Sequence, residues 1–461
     1  MERQMMRAVI DKLSKLDDLK VCNVAVDPEY ELGAVLSYFE NEQPILFNKV
    51  KGYDMPLIGG VYGNRKIYYD LMDVSTEDRL FKFMSGIANP IAPKLLNNGP
   101  IKENIITRNI DIRNKLPIPK SNEKDASSFI TSGMLVVKDH DTGKVYMAVR
   151  RFQINGKDHM NALISPASPL LRGHFAELEN KGEPLECAVV LGYDAQYLLA
   201  SQISSEKYGV DKYGVDGGLR GEPLEVVKCH SVDLEVPAYA EMVLEGYLVP
   251  NRRDVEGPFG ELMGYYGEVA PNPVMEIKTI MHRNNPIFQH AYPSREEHLA
   301  NGLIREMEVY NCIKNMMVDV KDVRITVGGG CRFHAIISIN KKSEGDGKSA
   351  ILGALGSSKD IKHVLIVDED IDIYDYKEVE LALASRVQAS EDVVIVPRAL
   401  GSGLEASHVA RGVTDKMGID ATKPLGEKTE LFERAVIPGF EKPKEINIER
   451  YFPEITKASK K

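Results

Sequence analysis

The sequence predicts an α+β protein with several domains, and three observations support this fold class. A chain of 461 residues is long enough to bury more than one hydrophobic core, so two or three domains are expected. Its hydrophobic residues (43%) and charged residues (27%) have the proportions of a soluble globular protein. Strand-like and helix-like runs alternate near both ends of the chain, whereas short β-type runs dominate the middle. We therefore predict an N-terminal α/β domain, a central β-rich domain and a C-terminal α/β domain.

The N-terminal domain is predicted to span residues 1–110, with a linker to about residue 124. A helix is expected over residues 1–20, because apolar residues recur there at helical spacing, from Met6 to Leu13. The other predicted elements are strands at 21–26 and 44–50 and helices at 31–39 and 75–84. Ser75 is the predicted N-cap of the last helix. Residues 89–124 are rich in Pro, Asn and Lys, which indicates a linker or a wrapping segment.

The central domain is predicted to span residues 125–300. Short β-type runs with Gly and Pro between them are typical of a barrel or a sandwich. These runs lie at residues 130–138, 144–154, 185–192, 225–231, 240–249 and 274–282. One helix is expected among them, near residues 194–200.

The C-terminal domain is predicted to span residues 301–440, and a charged tail follows at 441–461. The predicted elements are helices at 303–317, 347–356 and 376–386 and strands at 323–326, 333–340, 363–367 and 392–396. We interpret the triple glycine at 328–330 as a turn, because a strand rather than a helix follows it. Asp368, Asp370 and Asp372 follow one of the strands and are interpreted as structural acids rather than cation ligands.

Charge and composition limit the partners and the location of the protein. A net charge of −10 argues against nucleic acid or an acidic membrane as the main partner. The five cysteines are scattered and form no CxxC pair, so neither zinc nor a disulfide framework is expected. The sequence has neither a signal-peptide core at its N-terminus nor an apolar run of about 18 residues. We therefore expect a cytoplasmic protein.

The stretch 256–267 is the best candidate for a functional site. It reads Glu-Gly-Pro-Phe-Gly-Glu-Leu-Met-Gly-Tyr-Tyr-Gly, and its glycines and proline predict neither a regular helix nor a long strand. Glu256 and Glu261 lie five residues apart in this backbone. Two carboxyls can perform acid/base chemistry when burial or a neighbouring cation makes them unequal. The alternative is a surface turn with two solvated acids.

Other motifs precede and follow this loop. They read Leu-Arg-Gly-Glu-Pro-Leu-Glu-Val-Val-Lys-Cys at 219–229, Asp-Leu-Glu-Val-Pro-Ala at 233–238, Glu-Met-Val-Leu-Glu-Gly at 241–246 and Lys-Met-Gly-Ile-Asp-Ala-Thr at 416–422. Together with Glu-Gly-Pro-Phe-Gly-Glu at 256–261, these motifs resemble those of the UbiD family of carboxy-lyases, in the same order. The resemblance extends from about residue 1 to about residue 440.

The resemblance implies a decarboxylase that acts, usually reversibly, on an aromatic, heteroaromatic or α,β-unsaturated carboxylic acid. It implies prenylated FMN as the cofactor, supplied by a partner flavin prenyltransferase. It also implies that the central domain is a split β-barrel that carries the flavin, and that the protein forms a homo-oligomer, either a dimer or a hexamer. The alternative function is a non-catalytic subunit of a multi-subunit carboxylase complex.

The resemblance also implies which residues are catalytic. The family's network combines an arginine with two acids, and the acids fall on Glu256 and on Glu261, which is the implied proton donor. Arg150 and Arg151 are both candidates for the arginine. The family's Arg-x-Gln ending favours Arg151, because Gln153 follows it at the required spacing.

The metal ligands of the family are missing from this sequence. In the family, an Asn, a His and a Glu bind a divalent metal, with a potassium ion nearby. The corresponding positions hold Tyr146, a residue near Ala167, and Lys212, so no metal ligand is predicted. The residues expected to bind the cofactor are Tyr146, Val149, Arg151, Lys212 and Lys416.

Two hypotheses account for this difference. In the first, the flavin still binds and the Lys212 ammonium neutralises its phosphate where a metal would otherwise do so. In the second, the pocket has decayed and the chain is the non-catalytic subunit. The first hypothesis is favoured by Arg151, Glu256, Glu261 and Lys416, which are all retained.

The loop at 288–302 is expected to contribute to substrate choice. The predicted pocket residues are Leu262, His290, Arg295 and His298. A cationic His or Arg would suit a substrate with a second carboxylate or a phosphate. The alternative is a salt-bridged surface loop, since Glu296 and Glu297 lie beside these cations.

Overall fold

The computed structural model describes residues 4–139, 142–164, 169–293, 296–439 and 446–452. The N-terminal elements are α1 (Met5–Lys15), β1 (Lys20–Cys22), α2 (Glu31–Tyr38), β2 (Ile45–Phe47), β3 (Leu57–Gly59), α3 (Arg65–Met72) and α4 (Arg79–Ala88). α1 is amphipathic, and the predicted apolar positions Met6, Val9 and Leu13 lie buried in the core. α2 matches its predicted position, whereas β1 and β2 are shorter than predicted.

Ser75 is not an N-cap, and this prediction was wrong. α4 begins at Arg79, four residues later than Ser75. The Ser75 hydroxyl instead accepts a hydrogen bond from the backbone N–H of Asp78 at 3.1 Å, within the turn before the helix. Ser and Asp side chains stabilise turns by the same kind of local bond with which they cap helices, so the sequence pattern alone does not separate the two.

The segment 89–124 is not simply a linker, and that interpretation was wrong in part. It contains β4 (Lys94–Leu95), β5 (Asn104–Ile106) and α5 (Ile112–Lys115). β5 joins the edge of the large central sheet, where Ile106 lies opposite Ile280. The prolines keep these elements short, but their backbone N–H and C=O groups still pair with neighbouring strands.

The central part of the chain is built mainly from strands. The elements are β6 (Phe129–Lys138), β7 (Val145–Ile154), β8 (His159–Ala162), α6 (Pro169–Lys181), β9 (Leu185–Leu191), α7 (Ala195–Gln202), α8 (Ser205–Tyr208), α9 (Lys212–Arg220), β10 (Glu225–Lys228), β11 (Glu235–Pro237), β12 (Met242–Glu256), β13 (Ala270–His282) and β14 (Phe288–Gln289). The large sheet has the order β12-β9-β6-β7-β8-β13-β5, and β12 also pairs with β13. This additional pairing closes a ring of pairings through β12, β9, β6, β7, β8 and β13.

Alternate side chains of the ring strands enter two separate cores. In β6, Met134 and Val136 pack with the helices α1, α3, α4 and α7, whereas Leu135 and Val137 pack in a second cluster with residues of β8 and β13. This alternation follows from the two-residue period of a strand. It explains why β6 is an almost continuous buried run rather than a polar–apolar alternation.

The C-terminal part is a sheet covered by helices on both faces. Its elements are α10 (Glu296–Asn315), β15 (Val320–Ile325), β16 (His334–Ile339), α11 (Asp346–Ser357), β17 (His363–Asp368), α12 (Tyr376–Arg386), α13 (Ala389–Asp392), β18 (Val393–Leu400) and β19 (Val413–Ala421). The strand order is β15-β16-β17-β19-β18. One core lies between the sheet and α10 and α11, and a second core includes Val379 and Ala382 of α12. Every described helix of the protein is too short or too polar to cross a lipid bilayer.

The predicted turn and the structural acids of this part lie as expected. The triple glycine lies in a turn between β15 and β16, and Gly330 has a φ of +66°. Arg386 of α12 forms ion pairs with Asp368 at 2.9 Å and Asp370 at 2.8 Å. Asp372 accepts a hydrogen bond from the backbone N–H of Tyr374. These contacts give the three acids structural roles.

Candidate active site

Arg151 contacts both glutamates of the 256–267 loop. Its Nε and Nη2 donate to the two carboxylate oxygens of Glu256 at 2.8 and 3.0 Å. Its Nη1 donates to Oε1 of Glu261. The three residues come from β7, from the end of β12 and from the loop that follows it, so the fold joins them across about 110 residues of sequence. Arg150, the other candidate, makes neither contact among the described residues.

The two glutamates have different surroundings. The Glu256 side chain is only 1% exposed, and its carboxylate also accepts a hydrogen bond from the amide of Asn272 at 3.2 Å. The Glu261 side chain is 18% exposed and receives a single N–H of Arg151. The Phe259 ring covers the guanidinium of Arg151, with its centroid 4.7 Å away. Glu256 is therefore held in place on several sides, whereas Glu261 keeps part of its surface exposed.

The loop backbone is held by side chains from elsewhere in the chain. The side chain of Gln153 accepts a hydrogen bond from the backbone N–H of Gly257 at 2.8 Å. The buried carboxylate of Asp125 accepts one from the backbone N–H of Gly260, also at 2.8 Å. Gly257 has a φ of +91°, a conformation that favours glycine. The prediction that this stretch contains no long strand holds only beyond Glu256, because that residue is the last of the fifteen-residue strand β12.

Lys212 lies at the first position of α9 and is 5% exposed. Its ammonium donates to the backbone carbonyls of Met147 at 2.8 Å and Ser201 at 2.6 Å, and it lies 5.2 Å from the centre of the Tyr146 ring. Burial, and then the positive charge of Arg150, lower the pKa of Lys212 from 10.5 to about 7.

Arg150 is a candidate site residue that the sequence reasoning considered only for the catalytic arginine and not for the cofactor. Its Nη1 donates to the carbonyl of Val149 at 3.1 Å, and its Nε is buried with no hydrogen-bond partner among the described residues. The side chain keeps part of its surface exposed, yet the protein encloses the guanidinium closely enough that burial lowers its pKa. The sequence signal was the pair of adjacent arginines, which has two different environments in the fold.

The other predicted cofactor residues lie in two places. Tyr146 and Val149 are half-buried on β7, close to Lys212 and Arg150. Lys416 lies on β19, where its buried ammonium donates to the carbonyls of Leu355 at 3.1 Å and Ser358 at 3.2 Å. Lys416 and Lys212 therefore bind different pairs of carbonyls. The position near Ala167 lies outside the described residues.

Two of the predicted substrate-pocket residues lie close to the central strands. Leu262 is buried directly after Glu261, and it packs so closely on the turn after β15 that a Cβ at Gly330 would lie 2.4 Å from its Cδ1. His290 is 1% exposed, and its Nδ1 lies 3.2 Å from the hydroxyl of Thr131. Its Nε2 has no hydrogen-bond partner among the described residues, and burial lowers the pKa of the ring to about 3.

His298 lies instead in a cationic cluster on α10, and Arg295 lies outside the described residues. Nδ1 of His298 is 3.3 Å from Nη2 of Arg332. Burial and the charges of Arg332 and Arg305 lower the pKa of His298 well below its usual value. Asp360 is the acid at the centre of this cluster, and Arg305, Arg332 and Lys359 all donate to it.

No group of three or more His, Cys, Asp and Glu side chains suited to a metal ion occurs in the part of the chain that the structure describes. The described residues of the site combine a guanidinium between two carboxylates with a partly buried arginine on β7 and a buried lysine on α9. Such an arrangement can orient an anionic substrate, transfer a proton and hold a phosphate group.

Three consecutive segments of the chain match the domains of one enzyme family. Residues 10–87 match the N-terminal domain of 3-octaprenyl-4-hydroxybenzoate carboxy-lyase, an enzyme abbreviated UbiD. Residues 94–296 match the Rift-related domain of the same carboxy-lyase, and residues 298–421 match its C-terminal domain.

Solved structures and a curated relative are similar to the chain over nearly its full length. The UbiD-class enzyme HmfF from Pelotomaculum thermopropionicum in complex with FMN has a TM-score of 0.92 and 41% identity, covering 97% of this chain and 99% of that chain. An evolved dimeric form of HmfF in complex with prFMN has a TM-score of 0.89 and 39% identity, covering 97% and 100%. Anhydromevalonate phosphate decarboxylase from Methanosarcina mazei is 35% identical over 433 residues, which are 94% of this chain and 99% of the relative.

Proposed function

The chain belongs to the UbiD family of carboxy-lyases, and we propose that it removes carbon dioxide from an aromatic, heteroaromatic or α,β-unsaturated acid with prenylated FMN as cofactor. The observation that carries this proposal is the contact of Arg151 with both Glu256 and Glu261. A guanidinium between one enclosed and one more open carboxyl suits an enzyme that binds an acid and then delivers a proton.

The residues around β7 fit a flavin nucleotide. Residues 145–150 of this strand pair with β6 on one side, whereas β8 pairs only with residues 152–154 on the other, so the part of that edge up to Arg151 stays free of β8. Arg151 lies at one end of that edge, and the carbonyl of Met147 that binds Lys212 lies about 13 Å along the strand. An elongated cofactor with a ring at one end and a phosphate at the other fits this spacing. We propose that Tyr146, Val149 and Arg151 line it, and that the ring of strands is the family's split β-barrel.

In the proposed mechanism the residues of the chain bind, orient and protonate the substrate. Prenylated FMN, when bound, supplies the electron sink for the electron pair that remains after carbon dioxide departs. Arg151 orients the reacting carboxylate, and Glu256 holds Arg151 through two parallel hydrogen bonds. When the carbon–carbon bond breaks, Glu261 gives its proton to the carbon that lost carbon dioxide, and its carboxylate then stays beside Nη1 of Arg151.

We propose that the substrate carries a second anionic group, which the cationic cluster around Asp360 binds. Arg305, Arg332 and Lys359 all donate to this single acid, so their positive charge exceeds its negative charge. Nε of Arg332 is buried without a hydrogen-bond partner among the described residues. The M. mazei relative is named anhydromevalonate phosphate decarboxylase, and the phosphate in that name agrees with a second anionic group on the substrate. His290 and Leu262 are proposed to line the remainder of the pocket.

Further proposals concern the partners and the location. The cofactor is proposed to come from a flavin prenyltransferase, and the protein is proposed to act in the cytoplasm as a homo-oligomer. Self-association is supported by the C-terminal sheet, whose edge strand β18 exposes Ile395 and Leu400 at 67% each. Lys416 is proposed to assist in holding the cofactor phosphate, although its ammonium binds the carbonyls of Leu355 and Ser358 in this structure.

The substitution Glu261→Gln tests the proposed function. It keeps the size of the side chain but removes the proton that the mechanism delivers, so decarboxylation should fall by about a hundredfold or more. The measurement is turnover of enoic and heteroaromatic acids by the flavin-loaded protein, and the flavin absorbance should stay unchanged.

Glu268→Gln is the matched control, because Glu268 is an exposed acid in the same part of the chain, with a side chain that is 69% exposed. This control should retain full turnover. Unaltered turnover in Glu261→Gln would remove Glu261 from the role of proton donor.

A further inference from the structure

The cofactor site does not fit a divalent metal. By the resemblance, Tyr146 occupies the position of the family's Asn and Lys212 that of its Glu, and neither a neutral phenol nor an ammonium supplies the amide or carboxylate oxygen that a hard divalent ion needs. The Lys212 ammonium itself lies between the carbonyl oxygens of Met147 and Ser201. A divalent ion at this point would be repelled by the ammonium and would compete with it for the same oxygens.

The charge of Lys212 is buried but not neutralised within the described structure. An ammonium has three N–H donors, and the two carbonyls accept two of them. Asp211 is the nearest acid in sequence, but its carboxylate accepts the backbone N–H groups of Tyr213, Gly214 and Val145. No carboxylate in the described part of the chain forms an ion pair with Lys212, and the attraction of the Asp211 charge is outweighed by burial and by the charge of Arg150, so the pKa of Lys212 is lowered. The site therefore offers a donor and a positive charge to a ligand.

Arg150 adds a second cation at the same place. The Lys212 ammonium donates at 2.8 Å to the carbonyl of Met147, which lies three residues before Arg150 on β7, and the charge of Arg150 contributes to the lowered pKa of Lys212. Nε of Arg150 is buried and without a hydrogen-bond partner among the described residues. A buried ammonium and a partly buried guanidinium that are close in space repel each other and have lost part of their hydration, an arrangement that is costly unless an anion binds to both.

We propose that Lys212 and Arg150 bind the terminal phosphate of the flavin cofactor directly, with no divalent metal between phosphate and protein. The proposal rests on the flavin dependence proposed above. A phosphate monoester carries close to two negative charges at neutral pH, which matches two cations. The carbonyls of Met147 and Ser201 hold the Lys212 ammonium in place. The ammonium thereby supplies the positive charge that a bound metal ion would otherwise supply.

A comparison of FMN with riboflavin isolates the phosphate, because the two ligands differ only in that group. The test measures their affinities for the full-length flavin-free protein by quenching of flavin fluorescence, once with EDTA and once with added Mn²⁺. FMN should bind at least about tenfold more tightly than riboflavin. Chelation or addition of the metal should leave both affinities unchanged.

Lys212→Met and Arg150→Met should each weaken FMN binding by about tenfold or more, with riboflavin affinity unchanged. Unchanged riboflavin affinity also shows that the variant is folded. Lys207→Met is the matched control, because Lys207 lies only five residues before Lys212 but is 48% exposed and paired with Glu308. This variant should bind both ligands as the unaltered protein does.

Three results would overturn the inference. The first is equal affinity for FMN and riboflavin, and the second is FMN binding that needs Mn²⁺ or is lost in EDTA. The third is one equivalent of a divalent metal in the FMN-loaded protein by elemental analysis. Failure of the proposed function gives a different pattern, in which FMN still binds more tightly than riboflavin but the prenylated-flavin-loaded protein turns over no acid.

Discussion

Glu256 and Glu261 bind the same guanidinium but are not interchangeable. Glu256 receives two N–H groups of Arg151 and one of Asn272, and its side chain is 1% exposed. Removing this negative charge would leave a largely buried guanidinium with only one acid partner. Glu261 receives one N–H of Arg151, and its side chain is 18% exposed. It can therefore exchange a proton while the ion pair between Arg151 and Glu256 stays intact. The roles follow from the number of donors around each carboxyl.

Lys212 should make the stability of the flavin-free protein depend on pH. Burial, and then the charge of Arg150, lower the pKa of this ammonium from 10.5 to about 7. Between these two values the unfolded chain holds a proton that the folded chain has lost, so the free energy of unfolding rises with pH through this window. Lys212→Met should remove that rise.

The measurement is urea unfolding at about pH 7 and about pH 9.5. Between these two pH values, the free energy of unfolding of the unaltered flavin-free protein should rise by about 3 kcal/mol more than that of the Lys212→Met variant. Lys207→Met, which removes an exposed charge, should behave as the unaltered protein does. The same pH dependence with and without Lys212 would contradict the prediction.

The turn after β15 brings the C-terminal part against the acid loop. A Cβ at Gly330 would lie 2.4 Å from Cδ1 of Leu262 and 2.5 Å from Sδ of Met263, so only glycine allows this close approach. Arg332 follows two residues later and lies beside His298 of α10. Through this contact, an element of the C-terminal part lies near the proposed proton donor.

Arg332→Met should reduce activity selectively. For acids with a second carboxylate or a phosphate ester, we expect kcat/KM to fall by about tenfold or more, because a charge-assisted hydrogen bond is lost. For matched acids without that group, kcat/KM should stay within about twofold. Comparing dicarboxylates with phosphate esters also identifies which anion the cluster prefers.

Arg398→Met is the control for this prediction, because Arg398 is exposed on β18. It should leave the kcat/KM of both kinds of acid unchanged. An equal loss for both kinds of acid in Arg332→Met would show that the cluster does not bind a second anion.

Glu306 joins the N-terminal helices to the C-terminal part. This fully buried carboxylate on α10 accepts hydrogen bonds from Arg65 at 2.6 Å, from Arg79 at 3.2 Å and from the backbone N–H of Ile325 at 2.7 Å. Arg65 lies on α3 and Arg79 on α4, so one acid holds three elements that are distant in sequence. A buried acid between two arginines is costly to break because the cations would remain uncompensated.

Glu306→Gln should destabilise the whole protein by about 3 kcal/mol, because it leaves two buried guanidinium groups with too little negative charge. Urea unfolding followed by circular dichroism measures this change. Glu308→Gln is the control on the same helix, since Glu308 pairs with the half-exposed Lys207, and it should cost less than about 1 kcal/mol. Equal losses in the two variants would contradict the role of Glu306.

Local patterns predicted many individual elements. α2 ends one residue before its predicted end at Phe39, and α12 has the predicted bounds of Tyr376–Arg386. The order of the motifs around Glu256 and Glu261 predicted the family and the candidate acids, because the two acids lie only five residues apart within one recognisable motif. The predicted domain boundaries and residue roles stay predictions.

Helix α9 shows why other elements were missed. Its glycines disfavour a helix locally, but Gly217 and Gly218 allow close packing, since a Cβ at these positions would lie 2.4 Å from the carbonyl oxygen of Ile91 and 2.3 Å from that of Gly86. Packing against the segment around α4 therefore overrides the intrinsic propensity. The same helix places Lys212 against the carbonyls of Met147 and Ser201.

Local patterns in the sequence predict the alternation of elements, the family and the candidate acids, since each depends on neighbours within a few positions. Three other facts come from the packed chain alone: six strands close a ring of pairings, Arg151 rather than Arg150 contacts both glutamates, and Lys212 donates to the carbonyl of Met147 on the same strand as Arg150. These facts depend on contacts between residues far apart in the chain. Burial and charge at such contacts are properties of the packed molecule, and short-range patterns contain no information about them.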